Sequence, residues 1–120
     1  MRTPADLRRT FLSLDHVFFS DLCAHAGVRC RWKKFRSAKN SFQFGEYDED
    51  RKIVSLNVRL AQDDVPDYVV SAVCYHEMLH HMVGLEHTVA FARAEHQHPY
   101  FYASETWADQ FVLEMLDGAV

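Results

Sequence analysis

Three cysteines, Cys23, Cys30 and Cys74, are all the chain contains, an odd number with no CxxC spacing, which argues against a disulfide framework and against a cysteine-built zinc site. That scarcity fits a reducing, cytoplasmic setting. No apolar run approaches the roughly 18 residues of a membrane-spanning helix, so a soluble protein with no membrane partner is expected. Near the N-terminus the apolar stretch Phe11-Leu12-Ser13-Leu14 stops at Asp15 and His16 with no small-residue cleavage site after it, a pattern unlike a signal peptide. Repeats, low-complexity tracts and Pro/Gly-rich linkers are also missing, and 120 residues suit one domain, 1–120, with a core that needs no structural metal. An excess of positive charge is lacking as well: the net charge of −4 gives no global argument for nucleic acid.

What is present is periodicity. Residues 3–25 are expected to form a helix, with Thr3 as cap, Pro4 in its first turn, Gly27 beyond its end, and a core stripe of Leu7, Phe11, Leu14, Phe18 and Leu22. From Val28 to Trp32 the period falls to two, as in a half-buried strand. A second strand is expected over 41–47, a turn at Asp48-Glu49-Asp50, and a third strand over 52–58 that pairs with the second as a hairpin. Asp63-Asp64-Val65-Pro66 then opens a helix that runs to about Val83, where Gly84 stops it. A short helical stretch over 88–94 and a last helix from about His98 to Leu116 complete an α+β domain.

The central helix carries His76-Glu77-Met78-Leu79-His80 in a segment with no charge between Asp67 and Glu77. Residues four apart share a helix face, so both imidazoles can turn toward one Zn²⁺ while Glu77 reaches a water beside it. A buried helix cannot leave such groups unpaired without a cost of about 1–3 kcal/mol each. The pattern therefore predicts a zinc-dependent hydrolase with His76 and His80 as ligands and Glu77 as general base.

A catalytic zinc takes three protein ligands, and the third must come from downstream. Glu105 is the first choice, because a carboxylate on the last helix can face the central one, with Asp109 one turn on to orient a ligand histidine. His98, near the start of the same helix, is the rival; whichever of the two is not a ligand can stabilise charge on the reacting carbonyl. His81, His87 and His96 are assigned to the surface or to supporting positions.

Residues 73–80, with Val65-Pro66 and Leu56-Asn57-Val58 before them, resemble the small zincin metallopeptidases, and the resemblance extends from about Arg29 to Asp109. It implies a minimal zincin-like fold: an N-terminal helix, a sheet of three or more strands, an active-site helix and a C-terminal ligand helix. Glu105-Thr-Trp-Ala-Asp109 is similar to the ExxxD signature of gluzincins, which implies Glu105 as ligand. His98-Pro99-Tyr100-Phe101-Tyr102 resembles SprT-like proteins, which implies His98. Alignment on Pro99 and Phe101 puts Gln97 at the histidine position and keeps Glu105 in register, so Glu105 is preferred. The implied activity is hydrolysis of a peptide or protein substrate.

Two other readings stand beside this one. Zinc closed off by a fourth ligand such as His98 would make a stabilised, non-catalytic binding module. Arg29, Arg31, Lys33, Lys34, Arg36 and Lys39, interleaved with Trp32 and Phe35, could contact DNA, as SprT-like proteins that act on DNA-bound proteins would require. Alternating basic residues are more simply the wet face of a strand, and that reading is preferred.

Overall fold

The computed structural model describes residues 1–36 and 41–118, and Lys39 of the basic stretch lies outside them. Helix α1, Pro4–Phe19, opens on a capping box in which Thr3 Oγ1 accepts the Asp6 N–H and the Asp6 carboxylate accepts the Thr3 N–H. Its inward stripe of Leu7, Phe11 and Leu14 is buried, each side chain contributing about 1.5–3 kcal/mol. The helix does not continue to residue 25. Ser20 and Asp21 adopt left-handed conformations, with φ of 50° and 66°, and a separate turn, α2 (Leu22–His25), follows. The cause is Asp15, fully buried, whose carboxylate accepts the N–H groups of Cys23 and Ala24 at 3.0 and 2.9 Å. An inward carboxylate needs donors, and breaking the helix supplies them.

Strands β1 (Arg29–Lys33), β2 (Gly45–Asp48) and β3 (Ile53–Asn57) form a mixed sheet in the order β1-β3-β2. β1 runs parallel to β3, with Cys30 opposite Val54, and β2 runs antiparallel to β3, with Gly45 opposite Leu56. The expected hairpin is present but its first strand is shorter than 41–47: Phe42 and Phe44 turn aside to meet Phe111 at 4.9 and 6.1 Å between ring centroids. Asp48 belongs to the strand, not to the turn.

Helices α1 and α3 (Asp67–Met82) cover one face of the sheet over Val54 and Leu56. Arg31 crosses the other face to reach Ser55, and Lys33 pairs with Glu46 there. Pro66 is the residue before α3, placing its fixed φ where no N–H is needed. Helices α4 (Val89–Glu95) and α5 (Phe101–Asp117) then pack back on α3. α5 begins at Phe101 because His98 and Pro99 form the preceding turn, in which the Phe101 N–H donates to the His98 carbonyl. The result is an α+β domain of five α-helices, a 3-10 turn (Val58–Ala61) and three strands among the described residues. No helix among them is long and apolar enough to cross a membrane.

Candidate metal centre

Helix α3 is buried on most of its surface by Val69, Val70, Cys74, Met78 and Leu79, which fixes its rotation and leaves one stripe facing a cleft. His76 and His80 lie on that stripe with ring centroids 5.0 Å apart. Glu77, one step round, is 6 % exposed and aimed at β2. It fits there because Gly45 has no side chain: a Cβ at that position would come within 3.1 Å of Glu77 Cγ and 2.9 Å of the Ser55 carbonyl oxygen.

Beyond Met82 the chain reverses. Gly84 has φ of +144°, a conformation other residues rarely adopt, and its carbonyl accepts a hydrogen bond from His80 Nδ1 at 3.0 Å. Three residues later His87 stands immediately before Thr88, whose hydroxyl caps α4 by accepting the Phe91 N–H. The cap anchors the return of the chain and brings His87 Nε2 to 3.3 Å from His80 Nε2. One ligand nitrogen each from His76, His80 and His87 lie within 4.8 Å of one another. Phe91, 1 % exposed, packs against all three rings at 5.1, 4.7 and 5.0 Å.

Helix α4 contributes a second group. Glu95, near its end, hydrogen-bonds His76 Nδ1, and the Tyr75 hydroxyl donates to the Ala94 carbonyl at 2.6 Å, tying α3 to α4 beside that contact. Burial alone would depress the His76 pKa, but the Glu95 bond and the charge of Glu77 outweigh it and the net shift is upward. Burial likewise acts to raise Glu95, and the bond and charge of His76 hold it below its ordinary value. His80 is shifted down by burial and by its histidine neighbours. Glu77 is pushed up to about 7, chiefly by burial.

The residues singled out in sequence fall in three places. His76, Glu77 and His80 converge. Glu105, exposed on α5, lines a cavity that His76 and Glu77 also line, but it is not in the imidazole cluster; Asp109, one turn further, is exposed as well. The carboxylate that bonds a cluster histidine is Glu95. His98 is 4 % exposed with both ring nitrogens engaged: Nδ1 accepts the Tyr100 N–H at 3.1 Å, so Nε2–H donates to Ser71 Oγ at 2.9 Å. Burial favours its neutral form. The sequence signal for His87 was a helix-stopping glycine three residues earlier and a capping threonine one residue later.

Comparison of the sequence with protein-family models and with curated proteins gives no match. The donor set itself supplies the test of whether a metal suits this site. His80 gives its Nδ1 proton to Gly84, and His76 directs Nδ1 at Glu95, so in the neutral rings both Nε2 atoms carry lone pairs. His87 Nε2–H then bridges to His80 in the metal-free chain, and a cation in the cluster would replace that proton. Three neutral imidazoles fit zinc, although other first-row divalent ions share the preference.

Proposed function

We propose that the chain is a zinc-dependent peptidase whose ion is held by His76, His80 and His87, with Glu77 as general base. The observation that carries this reading is the convergence of three ring nitrogens, two of them oriented by outer hydrogen bonds, beside a buried carboxylate. Zinc with three protein ligands keeps a position open and supplies Lewis acidity, which makes water nucleophilic near neutral pH and polarises a carbonyl.

Glu77 accepts the proton of the attacking water and returns it to the departing amine. Glu77 lies one step round the helix from His76 and is almost wholly buried, so its carboxylate is held beside the site where that exchange takes place. Gly45 supports it by admitting the carboxylate against β2, and Glu95 supports it by holding the His76 ring in one orientation. β2 is an edge strand, and its residues Gly45, Glu46 and Tyr47 line a groove shared with the three histidines. An extended peptide can add to that edge through its main chain, with little demand on side-chain identity.

Glu77→Gln should retain zinc while lowering cleavage of an unfolded protein substrate by about 10²–10⁴-fold; equal cleavage by variant and parent would sink the mechanism. A closed, non-catalytic zinc site needs a fourth protein ligand, and His98, the residue considered for it, has both nitrogens bonded elsewhere. For the DNA reading, Arg31 donates to Ser55 and Lys33 pairs with Glu46, which favours a solvated strand face. A duplex that shifts at low salt would revive the DNA-binding reading.

A further inference from the structure

Glu105 is left without a part in the metal cluster, yet it stands on the wall of a cavity of about 260 Å³ that opens beside His76 and Glu77. Val69 and Ala72 of α3 and Phe101 and Ala108 of α5 give that cavity apolar sides, and the small side chains of Ala72, Ser104 and Ala108 leave it open. At this volume it falls just below pockets for drug-sized ligands, about 300–1,000 Å³, and suits a single long side chain.

The charge of the lining is one-sided. Glu77, Glu95 and Glu105 contribute carboxylates, and no lysine or arginine among the described residues lines the cavity. Glu95 is bonded to His76, whereas Glu105 makes no hydrogen bond or ion pair among the described residues and has Glu95 and Asp109 near it as like charges, offset in part by His76 and His96. An occupant with an aliphatic stem and a cationic head would cover the apolar walls and relieve that repulsion. A purely apolar side chain would meet the walls only.

We propose that this cavity is a specificity pocket for a lysine or arginine side chain next to the scissile bond, with the cationic head at Glu105. The assignment rests on the peptidase reading for its place in a reaction, but not for the binding itself.

Blocked hexapeptides that differ at one position, carrying Arg, Leu or Glu, test it by titration into the zinc-loaded Glu77→Gln protein with amide chemical shifts as readout. The Arg peptide is expected to bind about tenfold tighter than the Leu peptide, with the Glu peptide weakest. Adding Glu105→Gln to this protein should erase the Arg advantage, and adding Ala108→Leu, which fills the cavity with the carboxylate intact, should weaken the Arg peptide. Equal or tighter binding of the Leu peptide, or an Arg advantage that survives Glu105→Gln, would overturn the proposal. Cleavage by the parent protein separates the two readings: selective binding of Arg without cleavage of any peptide leaves the pocket standing and removes the peptidase. Cleavage with no preference for Arg overturns the pocket alone.

Discussion

At the scale of single residues, the uncommon expense is a carboxylate placed where water scarcely reaches it. Glu77 in the metal-free protein is raised from 4.5 to about 7, mainly by burial, so the folded chain holds a proton that the unfolded chain releases. The stability linked to that proton is present below about 4.5 and is lost as pH rises through about 7. Metal-free Glu77→Gln should therefore lose less stability than the parent between those values, by roughly 2–3 kcal/mol, in denaturant titrations run at several pH values. Identical slopes for the two proteins would mean that Glu77 is not the buried acid. Glu95 makes a complementary prediction. Glu95→Gln keeps the shape but removes the charge that orients and polarises His76, and zinc affinity should fall about 10–100-fold by competition with a chelator of known strength.

At the scale of elements, two glycines shape the site for different reasons. Gly84→Ala forces a side chain onto a backbone with φ of +144°, a strain of about 1–3 kcal/mol, and the strain falls on the turn that returns His87 to the cluster. Zinc affinity is expected to drop together with stability, whereas a stability loss with unchanged zinc affinity would show that the turn does not control His87. Gly45→Ala instead brings a Cβ to 2.9 Å from the Ser55 carbonyl oxygen and against Glu77, so it should impair hydrolysis more than metal binding. The elements themselves were legible in uneven degree. α3 was plain because a start signal at Pro66 and a stop at Gly84 bracket a run with no charge between Asp67 and Glu77, and α1 was plain up to Asp15. The break after Phe19 was not, since nothing in the local pattern says that Asp15 points inward toward Cys23 and Ala24. His87 was hidden for a related reason: its position depends on a reversal at Gly84 and a cap at Thr88, neither of which leaves a periodic signature. Glu105 shares a helix face with Asp109, but spacing along α5 does not set how far that helix stands from the imidazoles.

At the scale of the whole molecule, the hydrophobic core and the metal cluster are adjacent but separable. Leu7, Phe11, Val54, Leu56 and Met78 are buried in the metal-free chain, so it should stay folded after exhaustive chelation. Zinc should raise the unfolding free energy in proportion to the logarithm of its free concentration, by about 4 kcal/mol at a thousand times the dissociation constant, and the thermal midpoint should rise with it. Unfolding on chelation would instead assign the metal a structural role. The claim on which the rest depends is the identity of the ligands, and anomalous diffraction from a crystal of the zinc-loaded protein tests it most directly. One ion is expected, bound by His76, His80 and His87 through ring nitrogens, with Glu77 beside it and not coordinated. An ion held by Glu105 or His98 in place of His87, or no ion at this cluster, would contradict it.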